Sequence, residues 1–154
     1  PRRRAGRGGG RGERRGRLRY NEQMAFISDY LIILSGIVCG IILFQTAVIA
    51  PTVFKVLEGE SAGAFLRTVF PRFFLIIMGL GVLMFVLAIF SEDLEAISFV
   101  LPGVTLLFSS ISYLVIPATN RARDEGEEKT FKVLHSLTVF LTLIILILNI
   151  VWWL

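Results

Sequence analysis

The stretch LIILSGIVCGIILFQTAVIA, residues 31–50, contains no acidic or basic side chain. An apolar helix of about 20 residues, rising about 1.5 Å per residue, matches a hydrocarbon core of about 30 Å. Three further runs of the chain have the same character, and the four apolar runs are residues 26–50, 73–90, 96–116 and 133–154. The sequence therefore predicts an all-α integral membrane protein, a bundle of four membrane-spanning helices.

The overall composition agrees with a membrane protein of one domain. The apolar fraction is 55% and the mean hydropathy is +0.73, above the roughly 45–50% apolar content of soluble domains. A chain of 154 residues holds about one four-helix unit, so we expect a single transmembrane domain over residues 24–154. The only cysteine, Cys39, lies inside the first run, which excludes a disulfide within the chain.

Residues 1–23 differ from the rest of the sequence. They hold nine arginines and two glutamates, a net charge of +7, whereas the remaining residues carry −3. This composition predicts a disordered or partner-bound tail, because it offers little apolar surface to bury. Three origins stay open: a presequence remnant, an extension before a natural start at Met24, or an arm that binds acidic partners or anionic headgroups. Nucleic-acid binding is disfavoured, because no aromatic residue interleaves the arginines before Tyr20.

Four spans place both termini on one side of the membrane, here the terminal side, and residues 51–72 and 117–132 on the other, here the loop side. The loop side carries seven lysines and arginines, whereas the connection at residues 91–95 carries only acidic charges. The positive-inside rule then predicts that the loop side faces the cytoplasm, matrix or stroma. We favour an organelle inner membrane or a thylakoid as the location, with a bacterial inner membrane as the alternative.

Most of the unusual polar residues fall on the loop side. The candidate polar cluster there consists of Gln45, Arg67, Arg72, Tyr113, Asn120, Arg121 and His135. Such a cluster is either a binding site or a set of helix caps and charges that reach from span ends to water. The second interpretation is favoured, since most of these residues lie where water is near.

Small and hydroxyl-bearing residues predict where the helices pack. Gly36, Gly40 and Gly79 are the expected close-approach positions, and serines and threonines at helical spacing on the first, third and fourth spans predict interhelical seams.

Residues for catalysis are scarce. One histidine, His135, leaves a metal site or a bis-histidine haem short of ligands, and neither Ser136 nor Cys39 has a base near it in the predicted topology. The sequence therefore predicts no enzyme, no catalytic residue, no metal and no cofactor. Membrane lipids and other membrane subunits are the expected partners, and any small-molecule substrate stays open.

Three ordered segments carry a family resemblance: IAPTVFKVLEGESAGAFLRTVFPRFF (49–74), LVIPATNRARDEG (114–126) and FKVLHSLTVFLTL (131–143). Together they resemble the transmembrane-protein-205-like family, also called domain of unknown function 4149. The matching positions are Ala50, Pro51, Phe54, Ala62, Gly63, Phe70, Pro71, Pro117, Leu134 and His135. The resemblance implies a four-span membrane protein and no particular reaction, and it transfers a link to drug or metal-compound resistance in animal members only weakly.

The motif residues also have physical interpretations. Pro51 is expected to end or kink the first helix, since proline lacks an N–H and clashes with the preceding turn. Ser61 is expected to cap a short amphipathic helix, after which Pro71 begins the second span in its first turn.

Two functional hypotheses follow. The first is an accessory or structural subunit of a larger energy-transducing membrane complex, respiratory or photosynthetic. The alternative is a small transporter or resistance factor for a metal or organic solute, with Gln45, Tyr113, Asn120, Arg121 and His135 lining a loop-side vestibule. A cavity that reaches the middle of the membrane between these residues would favour the alternative.

Overall fold

The computed structural model describes residues 9–90 and 96–152, and within these ranges the regular elements are all helical. They are α1 (Gly9–Phe44), a π-helical turn (Gln45–Ile49), α2 (Ala50–Val56), α3 (Gly59–Ile89), α4 (Ala96–Asp124) and α5 (Glu128–Val151). Four segments are long and apolar enough to cross a membrane: Asp29–Val56, Gly59–Ile89, Ser98–Asp124 and Glu128–Val151. The prediction of an all-α protein with four membrane-spanning helices is confirmed.

The spans run up and down, as their packing shows. Near the terminal side, Leu31 and Leu34 at the start of the first span pack with Met84 late in α3 and Leu101 early in α4. The middle layer joins α1, α3 and α5 through the buried residues Val38, Ile42, Phe73, Phe74, Ile77 and Ile145. A third layer, Val53, Ala62 and Leu66, closes the loop side between α2 and α3. Neighbouring spans are therefore antiparallel, with the 57–58 and 125–127 connections at the same end.

The first span continues past Pro51, so of the two predicted outcomes, an end or a kink of the helix, the end is wrong. The N–H of Ala50 donates to the carbonyl of Gln45, five residues back, so the wider π turn directly precedes the proline. An α-helical turn would press the Pro51 ring against the carbonyl four residues earlier, and a π turn relieves that clash. The helical path then runs on to Val56.

The predicted separate helix before Pro71 is also wrong. Helix α3 begins at Gly59, after the N-cap residue Glu58, and continues through Pro71 to Ile89. Ser61 is therefore not the cap. Proline is tolerated inside long apolar membrane helices where neighbouring groups satisfy the backbone, and Pro71 lies in the first half of this one.

The region 117–132 is mostly helix as well. Helix α4 includes Pro117 and ends only at Asp124. Its end is a Schellman motif, in which Glu127 N–H donates to the Ala122 carbonyl (2.8 Å) and Gly126 N–H to the Arg123 carbonyl (3.3 Å). Gly126 has φ +71°, a conformation that favours glycine. The connection to α5 is therefore only three residues long, and the loop-side lysines and arginines lie on helices.

The arginine-rich tail is helical in its described part. Residues 9–23 belong to α1, so the disordered alternative of the prediction is wrong for them, whereas the partner-bound alternative stays a prediction. Extending a helix that a membrane span already holds costs less than nucleating one, and arginine is a good helix former. Residues 1–8 lie outside the described residues, as do 91–95 and 153–154.

The glycine prediction is wrong within this chain. Gly36, Gly40 and Gly79 are exposed, and a Cβ at any of them would meet nothing within 4 Å. Gly81 has the expected role instead, because its Cβ would lie 3.1 Å from the backbone nitrogen of Leu106 on α4. Regular spacing alone does not tell a lipid-facing stripe of small residues from a packed one.

The predicted hydroxyl seams are found in the interior. Ser35, Thr105, Ser109, Ser112, Thr142 and Asn149 are all buried. The amide nitrogen of Asn149 on α5 donates to Thr105 Oγ1 on α4 at 3.0 Å and to the Ile145 carbonyl at 2.9 Å. Hydrogen bonds of this kind contribute on average about 0.6 kcal/mol to helix association in membranes.

Candidate functional site

A cavity in the described part of the chain, here the loop-side cavity, has a volume of about 790 Å³. All four spans contribute to its lining, and most of the lining residues are apolar. Small-molecule sites have volumes of roughly 300–1,000 Å³ with a mostly apolar lining and a few placed polar groups. The size and lining of this cavity therefore suit a small-molecule site.

The cavity follows one face of α5 from the loop side toward the middle of the membrane. Its α5 lining includes Phe131, His135, Thr138, Thr142 and Leu146, spaced three or four residues apart as one helix face requires. From His135 to Leu146 the helix rises about 16 Å, roughly half of a hydrocarbon core of about 30 Å. The cavity therefore reaches the depth that the transporter hypothesis requires.

Aromatic rings of α3 form the opposite wall. Phe70, Phe73 and Phe74 all line the cavity. The rings of Phe73 and Phe74 pack edge to face with centroids 4.9 Å apart, and Phe70 stacks on Phe74 at 6.4 Å. These contacts hold the rings in place, so the wall is apolar and preformed.

Basic and aromatic side chains stack at the mouth of the cavity. The ring of His135 lies parallel to that of Phe131 at 5.6 Å, and the Arg123 guanidinium carbon lies 6.0 Å from the Phe131 centroid. Across the mouth, Arg67 of α3 forms an ion pair with Asp124 of α4. Among the described residues that line the cavity, none is acidic. The mouth is therefore a basic environment.

Gln45 provides a polar group deep in the cavity. It lies in the π turn, only 6% exposed, and its Nε2 donor has no hydrogen-bond partner among the described residues. A buried donor without a partner costs about 1–3 kcal/mol. Since π turns are frequent at functional sites, an unpaired amide in this position marks a place where a ligand can be bound.

The structure brings together four of the seven residues of the predicted polar cluster: Gln45, Arg67, Asn120 and His135. Arg72 lies elsewhere, beside a smaller pocket of about 380 Å³ between α1 and α3. Tyr113 packs against the middle core layer, and Arg121 is exposed outside the cavity. The vestibule proposed from sequence therefore loses Tyr113 and Arg121.

Several lining residues were missed from the sequence, and Arg123 is the most important. It follows Ile116 and Asn120 at helical spacing on α4. The apolar pattern predicted that the third span ends at residue 116, and therefore that Arg123 is a loop cation. Continuing the 3.6-residue period to Asp124 would have identified it. Thr138 and Thr142 were recognised as a polar face of the fourth span, without their common cavity.

The residues of the family resemblance are divided between cavity and scaffold. Ala50, Phe54, Gly63, Phe70 and His135 line the cavity. Ala62 packs in the α2–α3 layer. Pro51 and Pro117 are exposed, whereas Pro71 and Leu134 are half-buried. Half of the motif positions therefore surround the cavity.

Comparison with known proteins gives two matches. The "Uncharacterized protein" of Aquifex aeolicus (strain VF5) is 32% identical over 108 residues, which are 69% of this chain and 78% of that protein. No solved structure matches this chain. The profile of the domain of unknown function DUF4149 matches residues 33–128, a range that includes the π turn, all of α3 and the connection after α4. On this match the chain belongs to the DUF4149 family.

Proposed function

We propose that this protein is a non-catalytic membrane carrier that binds a small molecule in the loop-side cavity. The observation that carries the proposal is the cavity itself, which extends about 16 Å below its basic mouth and has Gln45 in its lining. A cavity of this size lowers packing density and therefore stability unless a ligand fills it.

Thiol accessibility tests the cavity, because the chain has a single cysteine to remove. In a Cys39→Ala background, Thr142→Cys places a thiol on the cavity lining and Phe140→Cys places one on the opposite face of α5. Phe140 is 61% exposed and does not line the cavity. We expect a charged, membrane-impermeant methanethiosulfonate to modify the Thr142→Cys protein, stripped of lipid, at least tenfold faster than the Phe140→Cys protein. Intact mass gives the rate.

Phe140→Cys is the matched control, because its thiol differs in depth from that of Thr142→Cys by only about 3 Å. Depth therefore does not explain a difference in modification rate. Equal, slow modification of both would mean that no open cavity reaches this depth, and it would overturn the carrier proposal.

A role as an accessory subunit of a respiratory or photosynthetic complex, in an organelle membrane, is the second candidate. It is favoured by the length of α1, because the 20 residues that precede Asp29 extend about 30 Å beyond the span. Arg14, Arg15 and Arg17 are exposed on this extension and provide a basic surface for an acidic subunit. We expect the protein, extracted in mild detergent, to migrate with a larger complex in native mass spectrometry. A free monomer as the sole species would contradict this role.

The narrower resemblance to transmembrane-protein-205-like proteins also belongs to the proposal. It adds a small organic or metal-containing solute to the candidate ligands, and the apolar lining of the cavity supports the organic class.

A further inference from the structure

We propose that the ligand of the loop-side cavity is an anionic glycerophospholipid that enters sideways from the surrounding membrane leaflet. This inference rests on the proposed function and specifies its ligand. One acyl chain would lie in the apolar depth of the cavity, with the phosphate at the basic mouth.

The depth of the cavity fits an acyl chain. Its lining from His135 to Leu146 covers about 16 Å, and one leaflet of a hydrocarbon core of about 30 Å is about 15 Å thick. Below His135 most of the wall is aromatic or aliphatic, formed mainly by the phenylalanines of α3 and by Leu146 and Ile42, and Gln45, Thr138 and Thr142 are its polar members. A lipid with its phosphate at the mouth would therefore occupy the cavity along its whole depth, with its ester groups in the upper part and the first part of an acyl chain below them.

The cavity is open toward the membrane between α1 and α5. Leu43 on α1 and Val139 and Leu143 on α5 line it, yet they are 49%, 45% and 48% exposed. A lining residue with half of its surface uncovered lies at an edge rather than in a closed wall. The helix pair therefore leaves a lateral opening, through which an acyl chain would enter without crossing water.

The arginines at the mouth favour an anionic head. Arg67 and Arg123 line this end beside the ring of His135, and no described lining residue is acidic. Asp124 pairs with Arg67, whereas Arg123 has no ion pair with any carboxylate in the described part of the chain. Arginine binds phosphate oxygens through charge-assisted hydrogen bonds. A phosphodiester at the mouth would therefore bind Arg123, with Asn120 beside it.

The depth of Gln45 fits the ester groups of the same lipid. Cys39 Sγ lies 3.9 Å from the Leu146 carbonyl, and α1 and α5 are antiparallel, so Gln45 lies at about the level of Phe140. That level is five residues, about 7.5 Å, deeper than His135. The carbonyl of an acyl ester lies just below the phosphate, so it would lie near Gln45, which is part of the cavity lining.

The same thiol assay tests the ligand class. On lipid-free protein carrying Cys39→Ala and Thr142→Cys, phosphatidylglycerol is expected to slow modification at least tenfold. Phosphatidylcholine and inorganic phosphate at equal concentration are expected to leave the rate within twofold. In the same background Arg123→Gln should weaken the protection about tenfold, whereas Arg121→Gln, an exposed arginine two residues away and outside the cavity, should not.

Each alternative outcome has its own meaning. Fast modification that phosphatidylglycerol does not slow would overturn the lipid and leave the carrier proposal standing. Equal protection by phosphatidylcholine would overturn the anionic head, and protection by phosphate alone would replace the lipid with a free anion. Native mass spectrometry of the unsubstituted protein provides a second reading, in which a phosphatidylglycerol adduct is expected in preference to phosphatidylcholine.

Discussion

At the scale of single residues, Gln45 and Asn149 show two different uses of a buried amide. Asn149 donates two hydrogen bonds and joins α5 to α4. Gln45 is similarly buried, but its Nε2 donor has no partner among the described residues, and it lines the cavity. Asn149 also has an atom without a partner, its Oδ1, but its amide nitrogen is used in helix packing. The amide nitrogen of Gln45 makes no such contact with the described residues.

Gln45→Leu should therefore stabilise the lipid-free protein while weakening lipid binding. The substitution removes a buried donor whose desolvation costs about 1–3 kcal/mol and keeps a side chain of similar size. We expect a higher midpoint of thermal unfolding in detergent and a several-fold weaker protection by phosphatidylglycerol in the thiol assay.

The control for this prediction is Asn149→Leu. It removes the hydrogen bond to Thr105, and by the usual range for membrane proteins it should destabilise by about 0.6–1.7 kcal/mol. If Gln45→Leu lowers the midpoint as Asn149→Leu does, the amide of Gln45 has a structural partner and the binding interpretation is wrong.

At the scale of elements, the sequence predicted the four spans because apolar length is a strong signal. It predicted their ends poorly, because the prolines were treated as boundaries. Pro51, Pro71 and Pro117 all lie within helical segments. In a membrane, loss of a helical backbone bond is costly, so the chain keeps its helices and adjusts locally, with a π turn before Pro51. No residue pattern predicts this π turn.

The early end predicted for the third span also left part of the site unpredicted. With an end at residue 116, Asn120 and Arg123 were not predicted to lie on one face of the same helix. His135, Gln45, Asn120 and Arg67 were identified from their polarity alone, and polarity does not tell which side of a helix faces a cavity. Arg121 and Arg123 differ only in that respect: the first is outside the cavity and the second lines it.

At the scale of the whole molecule, all four spans line the loop-side cavity. The bundle is tightly joined on the terminal side and in the middle, by Gly81 against α4 and by the Asn149–Thr105 bond. Toward the loop side the helices separate around about 790 Å³. A scaffold protein has no physical need for such a space. A substitution that reduces the cavity therefore distinguishes the proposed carrier from the proposed accessory subunit.

Gly63→Leu should narrow the cavity and weaken lipid binding while keeping the fold. Gly63 is buried and lines the cavity, yet a Cβ there would meet nothing within 4 Å, so the new side chain has open space. Gly79→Leu on the same helix is the matched control, because Gly79 has equal space on the exposed surface. Both substitutions gain about 1 kcal/mol of helix propensity, so this gain does not distinguish them. Only Gly63→Leu should lose co-purified phosphatidylglycerol, which lipid mass spectrometry measures. Only Gly63→Leu should also gain further stability in the lipid-free protein, because its new side chain is buried. Wild-type lipid content in Gly63→Leu would show that the bound lipid lies elsewhere. Migration with a larger complex that survives Gly63→Leu would show that the subunit role does not depend on the cavity.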